Sequence, residues 1–151
     1  MRRLRTEGGP RAPERVRAWL QATTDWLPDE LERHLVLLTC ELVTNSVLHG
    51  EAGEGEMIEV ELRATDTGLR AQVTDPGTGF APAGRRRQLD EPGGWGLVLV
   101  ERLATNWGVE RDEQTRVGCE LAAAAGSMTA GGSRPRTPVK IGFCQRFERS
   151  A

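Results

Sequence analysis

Cys40-Glu41-Leu42-Val43-Thr44-Asn45-Ser46-Val47-Leu48-His49-Gly50 is the stretch whose reading decides the fold. Glu41, Asn45 and His49 recur every four residues, which puts all three side chains on one face of a helix. The carboxylate can accept a proton. The carboxamide one turn on can hold a metal or a phosphate. Taken alone, such a stripe is also ordinary anatomy of an amphipathic helix. Just upstream, Pro28-Asp29-Glu30 is a helix start, with acids in the first turn. Leu31, Leu35, Leu38 and Leu42 form one apolar stripe, flanked by Val36, Val43 and Val47. Gly50 stands where a left-handed C-terminal cap is expected. The pattern predicts a helix over 28–49, with its polar residues half sheltered along the border of the apolar stripe.

Working outward, Val16, Trp19 and Leu20 fall at helical spacing after Pro13 and Glu14, and that helix fades near Thr23-Thr24-Asp25. Residues 1–12 hold Arg, Gly and Pro without periodicity and read as a mobile arm, with no strand pattern. On the other side, Met57 to Ala64 alternates, with Ile58, Val60 and Leu62 facing inward and Glu59, Glu61 and Arg63 facing water. After the turn Thr65-Asp66-Thr67-Gly68, Leu69 to Thr74 alternates again and completes an antiparallel hairpin. Leu97 to Ala104 is an apolar helix. Asn106 to Glu110 and Thr115 to Leu121 form a closing hairpin, with Val117, Cys119 and Leu121 inward.

Two further motifs sit between these elements. Asp75-Pro76-Gly77-Thr78-Gly79 ends a strand and leaves a carboxylate at its mouth, with glycines that allow close approach of a flat or charged ligand. A tight turn opened by Asp reads the same way. Gly93-Gly94-Trp95-Gly96-Leu97 leads into a helix start, where unsatisfied N–H groups and the helix dipole favour a phosphate. A flexible linker is the plainer reading. Gly-Lys-Ser/Thr is absent, so this is not a P-loop, and no parallel βαβ unit surrounds it. Between the two motifs, Ala81 to Pro92 is a long polar loop containing Arg85-Arg86-Arg87.

Glu-x-x-x-Asn on a helix, Asp-x-Gly-x-Gly after a strand and Gly-x-Gly before a helix, in that order, resemble the ATP-binding domain of gyrase, the ninety-kilodalton heat-shock chaperones, sensor histidine kinases and mismatch-repair ATPases (the Bergerat fold). Glu-Leu-Val-Thr-Asn-Ser-Val-x-His-Gly is most similar to the short anti-sigma-factor serine kinases and related actinobacterial regulators. The likeness spans about residues 13–121. It implies an α+β fold, a two-layer sandwich with a mainly antiparallel sheet packed on one side by helices. The domain would occupy 13–122, with a disordered tail over 123–151.

By position, the resemblance makes Asn45 a ligand of Mg²⁺ on the ATP phosphates. Glu41 would polarise the attacking hydroxyl of a protein serine or of water. Asp75 would accept from the adenine amino group, and Gly77 and Gly79 would let backbone lie against the base. Gly94, Gly96 and Leu97 would face the phosphates, and the loop over 81–95 would be a lid whose arginines reach phosphate, partner or solvent. His49 matches a histidine of the subfamily, and also suits the dipole of a helix C-terminus. The implied partners are a sigma factor and an anti-anti-sigma antagonist protein, in a homodimer.

The chain departs from the pattern twice. It shows no N-terminal edge strand, and Thr115, one place early for the family's adenine-holding threonine, carries little weight. Two further readings stay open: a non-catalytic ATP-binding module that sequesters a partner, and a histidine kinase catalytic fragment, for which no phosphoacceptor hairpin precedes the domain.

A length of 151 residues fits one domain with a real core. A net charge of −2 gives no general case for nucleic acid or an anionic membrane. No apolar run is long enough to span a bilayer, and no apolar segment follows the basic N-terminus. Cys40, Cys119 and Cys144 match neither a metal spacing nor a disulfide framework. Cys40 and Cys119 read as small apolar residues of a reduced, cytoplasmic interior.

Overall fold

The structure, a computed structural model, describes residues 1–50, 52–77 and 95–123, with the backbone alone for 95–97. The elements are β1 (Arg2–Glu7), α1 (Ala12–Thr23), α2 (Asp29–His49), β2 (Met57–Thr65), β3 (Gly68–Asp75), α3 (Trp95–Leu103), β4 (Asn106–Arg111) and β5 (Thr115–Ala122). The strands form one sheet in the order β1-β2-β3-β5-β4, and every neighbouring pair is antiparallel.

One face of the sheet and the helices make the core. Ile58, Val60, Leu62, Leu69, Ala71, Val73, Val117, Cys119 and Leu121 meet Val16 and Leu20 of α1, Leu31, Leu35, Leu38, Leu42 and Val43 of α2, and Val100 of α3. The period-2 residues of the strands and the 3.6-period residues of the helices thus bury the same layer. This is the two-layer, mainly antiparallel α+β sandwich that the motifs imply.

The N-terminus corrects the sequence reading. Arg2–Glu7 is a strand, not a mobile arm, and it supplies the edge that the sheet was expected to lack. Arg3 stands opposite Glu61 and Arg5 opposite Glu59. Arg3 Nε donates to Glu61 Oε1 at 3.0 Å and lies 3.5 Å from Glu59 Oε1. The charges that looked like an arm are cross-strand partners of the acids on β2. Glu61 is therefore buried beneath Arg3, although the alternation had placed it facing water. The strand then turns through Gly9, at φ 85°, where Gly9 N donates to Ala52 O at 3.0 Å.

Helix α1 starts with Pro13 and Glu14 in its first turn and ends where Thr24 N and Oγ1 both donate to Leu20 O, at 2.9 and 2.8 Å. Helix α2 begins at Asp29 and reaches His49. Gly50 is not the left-handed cap expected of it, since its φ is −102°. Its lack of a side chain serves close packing instead, described below.

Cys40 and Cys119 are free thiols and buried. Burial pushes the Cys119 thiol up to about 12 and raises Cys40 as well. A thiol whose folded value lies above its unfolded value of 9.0 adds stability at pH below 9 that is lost as pH climbs toward 12. The chain has no tyrosine to titrate in that window. Urea unfolding should therefore show stability falling between pH 9 and 12, with a shallower slope in Cys119→Ala; an unchanged slope places the effect elsewhere.

Candidate functional site

The C-terminal end of α2, the end of β3 and the start of β5 meet at one point. Asp75 is the last residue of β3 and Thr115 the first of β5, and the register sets them directly opposite each other. Both are buried, at 1% and 0% exposure, in phase with the inward residues of their strands. Gly77 N donates to Asp75 Oδ1 at 3.0 Å, and Thr115 Oγ1 donates to Gly77 O at 2.6 Å. The bend at the end of β3 is thus held from both strands.

Helix α2 closes the third side. A Cβ on Gly50 would lie 2.8 Å from each Asp75 carboxylate oxygen and 2.7 Å from Ser46 O. A Cβ on Gly77 would lie 1.9 Å from Gly50 O. Only two residues without side chains allow this approach. The approach brings the helix bearing Glu41 and Asn45 against the strand end bearing Asp75.

Asn45 precedes Gly50 by five residues, about 7.5 Å along the helix axis at 1.5 Å per residue. Asn45 is buried, and its Nδ2 has no hydrogen-bond partner among the described residues. A carboxamide turned about its last bond presents oxygen in place of nitrogen, so this buried polar end suits a metal or a phosphate. Among the described residues no group of three His, Cys, Asp or Glu side chains could hold a metal. A metal here would be held by Asn45 and by the phosphates themselves, as suits Mg²⁺, which keeps much of its shell outside the protein. Glu41, one turn earlier, is half-buried. His49 is half-buried in the last turn.

The buried carboxylate of Asp75 gains from every donor that reaches it. Gly77 supplies one such donor, and an exocyclic amino group of a flat base would be another. Gly96 and Leu97 lie in the first turn of α3, which starts at Trp95, two residues earlier than the sequence suggested. Their N–H groups belong to the set a helix leaves unsatisfied at its start. Gly79, Gly94, Arg85, Arg86, Arg87, Cys144 and the tail fall outside the described residues.

The sequence reading gave Thr115 little weight, and the structure places it opposite Asp75; the left-handed cap expected of Gly50 is not formed. The signal for Thr115 was present, because it continues the inward alternation of Val117, Cys119 and Leu121. The role of Gly50 has no sequence signal, since it depends on a residue from another element. On the opposite face of the sheet, a concavity lined by Glu61, Arg63, Arg70, Gln72, Glu110 and Arg116 includes none of these site residues.

Comparison with known proteins agrees with this architecture. Among solved structures, the histidine kinase domain of the Erythrobacter litoralis EL346 blue-light activated histidine kinase matches with a TM-score of 0.51 at 19% identity, a likeness of fold. The match covers 73% of this chain and 58% of that one, so the chain spans little more than half of that structure's length. No curated protein matches the chain. The family model for the histidine kinase-like ATPase domain matches residues 9–120, from the turn after β1 to Glu120 near the end of β5. With its sheet order, its Asp75 junction and that match over most of its length, the chain belongs to the histidine kinase-like ATPase domain family.

Proposed function

We propose that this protein binds ATP with Mg²⁺ and transfers the γ-phosphoryl group to a serine or threonine of an antagonist protein, in the manner of anti-sigma-factor kinases. The observation that carries the reading is the junction of α2 with β3. It sets the buried carboxylate of Asp75 beside the helix that carries Asn45 and Glu41, which supports a base-reading role for Asp75. Family membership implies the ATP. The Glu-Leu-Val-Thr-Asn-Ser-Val-x-His-Gly motif supports the anti-sigma subfamily, with sigma-factor sequestration and a homodimer as its further expectations.

In this reading Asp75 accepts from the adenine amino group and Asn45 holds the metal. Bound Mg²⁺ supplies charge neutralisation on the phosphates. Glu41 accepts the proton of the acceptor hydroxyl as its oxygen bonds to phosphorus and the bond to the ADP oxygen breaks. Most of the rate enhancement comes from positioning. Among the described residues no helix is long and apolar enough to cross a membrane.

The test is calorimetric titration of ATP with and without Mg²⁺ on wild type and Asn45→Ala. Wild type should bind more tightly with Mg²⁺, and Asn45→Ala should lose that dependence. Absence of any ATP binding by wild type sinks the reading. ATP binding without phosphoryl turnover toward an antagonist leaves a partner-sequestering module instead.

A further inference from the structure

We propose that the open face of the sheet docks an acidic, extended segment of a partner protein. One carboxylate of that segment bridges Arg63 and Arg70, and its backbone lies over a bare floor at Gly118 and Gly108. This face is the one turned away from the helices, so the inference stands apart from the ATP reading.

Charge pairing across the strands singles out the place. On the open face Arg3 stands opposite Glu61, Arg5 opposite Glu59, Arg70 opposite Glu120 and Arg116 opposite Glu110. Each of these pairs joins opposite signs, as a sheet favours. The register of β2 with β3 breaks the rule and sets Arg63 directly opposite Arg70. Like charges so placed cost stability, and an anion between them removes the cost. The nearest acids are already engaged. Arg3 Nε donates to Glu61 Oε1, and Arg116 Nη1 lies 3.3 Å from Glu110 Oε2. Arg70 Nη2 donates to Gln72 Oε1 at 3.5 Å, which anchors one member of the pair. Arg63 is exposed, and the pairing of β1 with β2 stops short of it, at Arg2 opposite Leu62. Among the described residues Arg63 makes no ion pair. A carboxylate set between the two guanidinium groups would accept charge-assisted hydrogen bonds from both.

The neighbouring floor favours a peptide as the bearer of that carboxylate. Two residues along the strands, about 7 Å from the arginine pair, Gln72 stands opposite Gly118 and Gly118 opposite Gly108. Val117 and Cys119 face the core, so Gly118 between them faces the open side. Gly108 does the same between Trp107 and Val109. Glycines inside strands weaken a sheet and mark places where another backbone comes close. Arg63 and Arg70 wall this concavity on one side, Arg116 and Glu110 on the other. Its volume of about 290 Å³ suits one or two side chains and falls below the usual range for pockets that enclose a drug-sized ligand. An extended chain over the glycines, with an Asp or Glu reaching the arginines, fills it. The protein as a whole carries a net charge of −2, so affinity for an acidic segment has to come from this local arrangement.

The probe is a fluorescently labelled octaglutamate peptide, titrated with the full chain and followed by anisotropy at low and high salt. Wild type should bind it at low salt and lose affinity as salt screens the contact. Arg63→Glu should weaken binding about tenfold or more, the scale of a hydrogen bond to a charged group. Arg33→Glu makes the same change of charge at an exposed position of α2, on the helix side, and should bind like wild type. Gly118→Val fills the floor with a residue that strands favour, so it should weaken binding without lowering the melting temperature. If that variant fails to fold, the two charge reversals still decide. Absence of binding by wild type at low salt overturns the inference, and so do equal losses in Arg63→Glu and Arg33→Glu, which would reduce the effect to general charge. Displacement of the peptide by free glutarate, with Gly118→Val unaffected, would make this a small-anion site and overturn the peptide assignment. Light scattering that shows a dimer in wild type and a monomer in Arg63→Glu would give this face to a second copy of the chain, and the acidic-segment assignment would fail.

Discussion

Asp75→Asn is expected to weaken ATP binding by about two orders of magnitude, close to 3 kcal/mol, while the chain still folds. The carboxylate offers acceptor positions on both oxygens, and Gly77 N already uses Oδ1 at 3.0 Å. An asparagine has one acceptor oxygen and one donor nitrogen. If the oxygen stays with Gly77 N–H, the amide nitrogen faces the adenine amino group, donor against donor. If the amide turns to serve adenine, its nitrogen faces Gly77 N–H. Position 75 is buried at 1% exposure, so water has little room to relieve either conflict. Calorimetric titration with ATP, alongside circular dichroism, reads both halves of the expectation. An affinity within a few-fold of wild type in a folded variant would remove Asp75 from the base-reading role.

Leu38→Ala has the other large expected effect, and it falls on the fold. Leu38 is fully buried in the stripe that seats α2 on the sheet. Replacement should cost about 2–5 kcal/mol of unfolding free energy, from lost transfer energy and the cavity left behind. That is a large fraction of the ~5–15 kcal/mol a domain usually has. Urea unfolding should show a lower midpoint with an unchanged slope. Leu38 points to the core, whereas Glu41 and Asn45 lie at the stripe's border. ATP affinity of the folded fraction should therefore stay near that of wild type. A parallel loss of affinity and stability would mean that the helix shifts on its seat instead of leaving a cavity.

Much of the architecture was legible because periodicity and burial coincide. Leu31, Leu35, Leu38 and Leu42 sit at helical spacing, and Ile58, Val60 and Leu62 alternate, so each segment declares its buried face. Strand β1 did not declare itself because it is an edge. Only Leu4 and Thr6 turn toward the core side, and Arg3 and Arg5 are explained by acids more than fifty residues away, Glu61 and Glu59. The same charges and the buried Glu61 show the limit of reading one strand at a time. At the site, Asp75 and Asn45 were legible as motif residues, and their burial is consistent with the roles assigned to them. The placement of Thr115 follows from its own strand's alternation and not from its distance to a motif. Gly50 was assigned to a cap because the local pattern fits one. Its actual constraint comes from Asp75, twenty-five residues along the chain, and no local rule can see that far.

The register of the sheet also bears on how the chain assembles. Strands β2 and β3 are joined by a tight turn, as are β4 and β5, so both hairpins close over short spans. The remaining seams are long. Arg3 meets Glu61 across 58 residues, and Thr115 meets Gly77 across 38. Loop-closure entropy makes such seams costlier to form than hairpins, and contacts of this range slow folding. Asp75 and Thr115 straddle the second of them. Under the proposed function, a nucleotide held at Asp75 would recognise only chains in which that seam is already shut, and its binding would hold the seam closed by mass action. Such a ligand would act as a staple between two hairpins that each close over a short span.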